Sequence, residues 1–194
     1  MEMTMRKYIT QHEWDMFFKA ITDYQNATRN KAMFHMAYIH GLRVSELTGM
    51  KITDLDLVGK TVYIRRLKNG LSTVHPLQEM SVALIKEWLK IRSKYVKKSP
   101  ADYLFLTTQG EIISRQWVYK LCKKISLRAG LGMNIHPHMF RHACGYALAN
   151  QGMDTRLIQD YLGHRNIHHT VRYTASNAAR FKRVWQEADM VCDS

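Results

Sequence analysis

The segment from His136 to Tyr173, HPHMFRHACGYALANQGMDTRLIQDYLGHRNIHHTVRY, constrains this chain more than any other. Helical runs broken at Gly152 and again at Gly163 predict helices over about 138–150 and 154–162. On the first, His138 and Arg141 stand three residues apart and share one face. Leu162-Gly163-His164 closes the second, and Tyr173 lies nine residues beyond His164 in a basic, polar setting. A protein that needed only a core would not concentrate so many imidazole and charged groups in one segment.

The 194 residues suffice for one domain with a full core. A net charge of +13 and a pI near 9.8 imply a polyanionic partner, nucleic acid before an acidic membrane surface. No apolar run approaches a membrane span, and MEMTMRKYIT lacks the apolar centre of a signal peptide. Cys122, Cys144 and Cys192 are odd in number, widely spaced and without a C-x-x-C pair. They support neither a disulfide framework nor a zinc ribbon, and they suit a reducing cytoplasm.

Upstream, Thr10 and Glu13 have capping-box spacing, and Trp14, Phe17, Phe18 and Ile21 follow at helical intervals. A helix over about 11–25 is expected, then a buried one over 31–40 ended by Gly41. Arg43 to Leu47 forms a short helix, and Asp54, Asp56 and Gly59 read as loop and turn. Thr61-Val62-Tyr63-Ile64 and Thr73-Val74 flank Asn69-Gly70, which predicts a hairpin with Lys68 at its turn. Helices over 81–95, 115–129 and 176–190 complete the expectation, with a short extended run at Tyr103–Leu106. The fold class is mostly α with a small antiparallel β-sheet. Residues 1–194 form one domain, with no separate N-terminal domain.

Taken singly, the candidate residues have ordinary explanations. Arg43 with Glu46 one turn later makes a surface ion pair worth little, unless the carboxylate holds the guanidinium still for a ligand. Lys68 is an edge lysine that discourages strand pairing, or a group that reaches into a site. His138 and Arg141 form a basic helix face, or an imidazole donor beside a planar fork suited to phosphate. His164 is a histidine favoured near a helix C-terminus, or a further phosphate donor. Tyr173 packs at a helix start, or is a nucleophile. A phenol of pKa roughly 10 needs nearby positive charge or a base to attack at neutral pH. His136, His138 and His142, with His168 and His169, invite a metal site. No Glu completes a zincin motif, however, and no metal is expected.

In combination and in this order, Arg43 within LRVSEL, Lys68 on a hairpin, HPHMFRH, YLGH and Tyr173 resemble the tyrosine recombinases of phage-integrase type. The resemblance runs from about Ile9 to the end. RRLKNGLSTVHPL, HPHMFRHACGYALANQG and DTRLIQDYLGHRNIHHTVRYTASNAARF are similar to the fimbrial phase-variation recombinases of enteric bacteria. Phe140 departs from the family's usual Leu at a core position. The resemblance implies the catalytic-domain fold of that family and a set of roles. Arg43 and Arg141 would hold the scissile phosphate. His138 would exchange protons there, and His164 would hydrogen-bond the same phosphate. Lys68 would protonate the leaving 5′ oxygen, and Tyr173 would form a 3′-phosphotyrosyl bond. Glu46 would support Arg43.

The implied activity is site-specific DNA recombination without metal, ATP or cofactor, inverting a promoter-bearing segment to switch fimbrial expression. The implied partners are double-stranded DNA with inverted repeats, a homo-tetramer on that DNA and accessory DNA-bending proteins, in the nucleoid of the cytoplasm. Helix 176–190, with Phe181, Val184 and Trp185 on one face, would dock on its own domain or on a neighbouring protomer. A non-catalytic DNA-binding regulator on the same scaffold would show a broken site, yet all six positions are filled. A type IB topoisomerase shares the chemistry and would relax supercoils without recombination sites.

Overall fold

The computed structural model describes residues 6–22, 26–67, 70–97 and 102–175. Eight α-helices and a three-stranded antiparallel sheet lie among them, in agreement with the fold class read from the sequence. Helix α1 spans Gln11–Lys19 and begins with the expected capping box, Thr10 N–H donating to Glu13 Oε2 at 2.7 Å. It ends at Lys19, short of the expected 25. Helix α2, Ala27–Ile39, begins before the expected 31 because its first turn is buried through polar groups. There Arg29 donates to the Leu106 carbonyl at 2.9 Å, a tertiary partner that periodicity does not reveal.

Helix α2 is the central rod of the core and packs against both α4 (Glu79–Arg92) and α6 (Pro137–Asn150). Trp14 stacks on Tyr38 with centroids 4.1 Å apart, and Phe140 meets Phe34 and Phe17 at 5.7 and 5.2 Å. Phe140 is fully buried, so a benzyl group sits well in this core position. Burying one such ring contributes roughly 1.5–3 kcal/mol. Helix α5, Arg115–Arg128, packs beside α3 (Val44–Thr48) and α6, with Ser114 accepting from Trp117 N–H as its cap.

The sheet order is β1-β2-β3. Strand β1, Leu55–Asp56, falls where only loop and turn were expected. The turn is present as well, since Asp56 Oδ1 accepts from Val58 and Gly59 N–H. Strands β2 (Thr61–Ile64) and β3 (Thr73–Pro76) form the expected hairpin, with Ile64 opposite Thr73. Its connection is therefore the longer stretch 65–72 and not a tight Asn-Gly turn. Arg66 leaves the ladder to turn inward, and its N–H donates to Ser72 Oγ at 3.1 Å. Lys68 and Asn69 lie outside the described residues, as does the helix expected over 176–190.

Helices α7 (Thr155–Leu162) and α8 (His168–Ala175) pack on α6 around a second small core of Cys144, Ala149, Ile158, Leu162 and Tyr173. Helix α8 was not expected from the sequence, and it places Tyr173 within a helix. Gly41 joins this part to the main core. It ends α2 at φ +56°, and Leu42 N–H returns to the Ala37 carbonyl at 3.1 Å. A Cβ at Gly41 would stand 2.5 Å from Leu162 Cδ2. Gly41→Ala should therefore cost about 1–3 kcal/mol from backbone strain alone, read as a lower thermal midpoint. An unchanged midpoint would show that the left-handed backbone at this position carries a Cβ without strain.

Candidate active site

Arg141 occupies the second turn of α6 and is 5% exposed. Its two terminal nitrogens donate to the carbonyls of Gly41 and Leu162, both at 2.6 Å. Each carbonyl lies two residues before another candidate, Arg43 and His164. One buried guanidinium thus ties the end of α2 and the end of α7 to α6. Burial pulls its pKa down to about 9, helped by Arg43 and Arg66 and opposed by Glu46 and Tyr173.

Arg43 caps the N-terminus of α3 with its side chain 28% exposed. Glu46, in the first turn of α3, accepts from Arg43 Nη1 at 2.7 Å and from Arg43 N–H at 2.9 Å. This is the pairing expected from the sequence, but it is not a surface pair. Glu46 is buried, and its other side belongs to Arg66, whose Nη1 donates at 2.8 Å. Arg66 also donates to the Tyr161 carbonyl at the end of α7. Burial alone would raise the Glu46 carboxyl, but Arg66, Arg43 and Arg141 together hold it below the usual carboxylate range.

His138 is exposed at the start of α6 and lines a cavity of about 370 Å³ with Arg43, Arg115, Gln116 and Tyr119. Although its surface is exposed, partial desolvation of the ring lowers its pKa first, followed by Arg141 and Arg43. His164 follows α7, and its Nδ1 is 2.9 Å from Thr170 Oγ1. Burial, Arg141 and Arg43 in that order pull it down to about 3. Both imidazoles therefore stand in the field of both arginines. Four of the expected residues converge: Arg43 and His138 line one basic recess, and Arg141 and His164 stand within electrostatic reach of them.

Tyr173 borders this group in the second small core and is 1% exposed. Its ring lies so close to α6 that a Cβ at Gly145 would stand 2.6 Å from Cε2. The phenol oxygen is 3.0 Å from His142 Nδ1, and the ring is stacked 6.4 Å from His164. Burial raises the phenol pKa, while Arg141 and Arg172 pull the other way. Nearby positive charge alone therefore does not leave this phenol easier to ionise in the free protein.

Sequence reasoning missed three contributors. Arg66 was not singled out, and His142 entered only as a metal candidate. Thr170, which fixes His164, carried no signal. Among the described residues no group of three or more His, Cys, Asp or Glu could hold a metal, and no helix is long and apolar enough to cross a membrane.

Behind the site, His40 Nδ1 and His75 Nδ1 approach to 3.2 Å, and His75 stacks on Tyr161 at 3.9 Å. Burial first, then the positive neighbours, pull both imidazoles down to about 3. The unfolded chain binds protons at these groups below about pH 6.5 and the folded chain does not, so their contribution is complete above that pH and lost as pH falls toward 3. The urea midpoint should fall steadily from pH 6.5 to 4, and a flat midpoint would contradict neutral burial. Arg66→Met should cost about 3–5 kcal/mol in urea unfolding, because Glu46 loses its buried partner. A cost under about 1 kcal/mol would place that pair among ordinary surface pairs.

The model of the phage integrase family matches residues 7–180. The chain is 48% identical to the type 1 fimbriae regulatory protein FimB of Escherichia coli K12 over 183 residues, 94% of this chain and 91% of that protein. It is 44% identical to FimE of the same strain over 189 residues, 97% and 96% of the two chains. The XerH site-specific recombinase, in a pre-cleavage complex with its difH substrate, superposes with a TM-score of 0.77 at 26% identity. That match covers 92% of this chain and 53% of XerH. XerA recombinase shares the fold with a TM-score of 0.78 at 24% identity, covering 93% of this chain and 64% of XerA. With the family model matching most of its length and relatives of 44–48% identity along nearly the whole chain, the chain belongs to the phage integrase family of tyrosine recombinases.

Proposed function

We propose that this chain recombines DNA at specific sites through a 3′-phosphotyrosyl intermediate and inverts a promoter-bearing segment that switches fimbrial expression. The observation that carries the chemistry is the convergence of Arg43, His138, Arg141 and His164 beside Tyr173. The similarity to FimB and FimE across nearly the whole chain supports the fimbrial role.

A scissile phosphate in the recess meets two guanidinium groups and two imidazoles. As Tyr173 attacks, charge builds on the non-bridging oxygens. Fixed cations stabilise that charge without reorganising, usually the largest part of such catalysis. Arg43 is the more accessible arginine and takes the phosphate directly, while Glu46 and Arg66 hold it in place. Arg141 stabilises the same charge from behind and keeps Arg43 and His164 in register. His138 exchanges protons at the phosphate, and His164, fixed by Thr170, donates to it. Lys68 protonates the leaving 5′ oxygen. The phosphotyrosyl bond replaces the phosphodiester bond at similar energy, so strand rejoining needs neither ATP nor a metal.

The partner is double-stranded DNA carrying inverted repeats. Four copies act on two sites, with accessory DNA-bending proteins and in the cytoplasmic nucleoid. One catalytic domain spans the chain, and its C-terminal segment docks on that domain or on a neighbouring protomer. The structures of XerH with difH and of the Tn1549 integrase with transposon-end DNA support a DNA partner.

On a nicked suicide duplex carrying the repeats, in EDTA and without nucleotide, wild type should form a 3′-linked covalent adduct. Tyr173→Phe should bind and form none, and an adduct with that variant would remove Tyr173 from its role. Arg43→Ala should slow adduct formation by about 10²–10³, the scale of losing one such donor. DNA affinity should fall steeply with salt, with a log–log slope near −0.9 per phosphate contacted, whereas a flat dependence would contradict a phosphate-dominated interface.

A further inference from the structure

Tyr173 must lose a proton when its oxygen bonds to phosphorus, and it has almost no contact with water. It is 1% exposed, walled in by Gly145 and by Tyr146, whose ring meets it edge-on at 5.1 Å. The polar atom recorded against its hydroxyl is His142 Nδ1, at 3.0 Å. His142 is half-buried. The same ring lines a cavity of about 500 Å³ together with Arg6, Lys7, Asn134, His136 and Met139. This cavity has no lining residue in common with the recess that holds Arg43 and His138.

From this geometry we infer that His142 is a catalytic residue of the recombination reaction, relaying the Tyr173 proton through its imidazole to water in the second cavity. The inference rests on the recombinase role proposed above. In the step, the Tyr173 oxygen forms its bond to phosphorus as its proton passes to Nδ1. The bond from phosphorus to the 5′ oxygen breaks, and that oxygen takes a proton from the leaving-group acid on the recess side. The imidazole then releases its Nε2 proton to water while the leaving-group acid regains from water the proton it gave to the 5′ oxygen, so one proton leaves and one enters and none accumulates. On rejoining, the relay runs backward.

The electrostatics agree with a relay and oppose a stored proton. Burial first, then Arg172 of α8 and His138, Arg141 and His136 on or beside α6, pull His142 down to about 4. Arg6 and Lys7 line the cavity wall opposite. The ring is therefore neutral at pH 7; with its proton on Nε2, Nδ1 accepts from the phenol, and the ring is too weak a base to keep the proton. A relay suits such a ring because the proton needs only to pass through it. It also explains why a phenol whose pKa is raised by burial can act as a nucleophile near neutral pH.

The test compares covalent adduct formation on the nicked duplex for wild type, His142→Ala and His142→Asn, with folding checked by circular dichroism and DNA binding measured in parallel. Asn keeps a polar atom near the Nδ1 position but cannot relay a proton. Both variants should bind DNA as wild type does and form adduct about 10²–10³ more slowly, the range of general acid–base contributions. Millimolar imidazole should restore part of the His142→Ala rate. Replacing Tyr173 with a more acidic fluorinated tyrosine should narrow the gap between His142→Ala and its parent. Wild-type speed in His142→Asn would reduce His142 to a hydrogen-bonding support and overturn the relay. So would a defect that neither imidazole nor the fluorinated tyrosine moves. If wild type itself forms no adduct while binding the repeats, the recombinase role fails and takes this inference with it.

Discussion

The buried guanidinium of Arg141 decides the arrangement of this molecule's chemical face. A cation in that position is costly unless it is fully hydrogen-bonded. The carbonyls of Gly41 and Leu162 satisfy it where two helices end and their last carbonyls lack helical partners. The chain leaves each of those carbonyls and reaches Arg43 or His164 two residues later. Fold and site are therefore one construction, and moving Arg141 would unseat both neighbours before affecting any ligand.

Charge balance explains why this construction awaits an anion. Glu46 is the carboxylate shared by Arg43 and Arg66, and Arg141 acts on it as well. Three guanidinium groups against that single carboxylate leave two positive charges uncompensated by it. A phosphate entering beside the exposed part of Arg43 supplies the missing charge without disturbing the buried pair behind it. The imidazoles of His138 and His164 are held below their usual pKa by burial and by the same arginines. In the proposed reading, the free protein holds this cationic group in place before a phosphate binds.

Much of this was legible in the sequence because it is local. The Thr10–Glu13 box, the Ser114 cap, the stop at Gly41 and the faces of α4, α5 and α6 are written in spacing of a few residues. Arg43 with Glu46, and His138 with Arg141, could be paired for the same reason. What escaped depends on contacts between segments distant in the chain. Arg66 reaches Glu46 across 20 positions and the Tyr161 carbonyl across 95. The strand ladder ends at Ile64 and Thr73, where Arg66 turns inward, so Asn69-Gly70 does not sit directly between paired strand ends. Helix α2 started early because Arg29 finds the Leu106 carbonyl, and α8 hid because its buried face is made of Thr170, Tyr173 and Thr174. The bond from His142 to Tyr173 spans 31 positions, and no periodicity in the sequence encodes it.

The most direct test of the central claim is a structure of the Tyr173→Phe protein on uncleaved duplex DNA carrying the repeats. The account predicts one phosphate within hydrogen-bond distance of Arg43, His138 and His164, with Arg141 still on the Gly41 and Leu162 carbonyls or exchanging one of them for that phosphate. The ring of residue 173 should lie in line with the 5′ oxygen. A duplex whose phosphates all lie beyond hydrogen-bond distance of Arg43 and His164 would contradict the account, however tightly the DNA is held elsewhere.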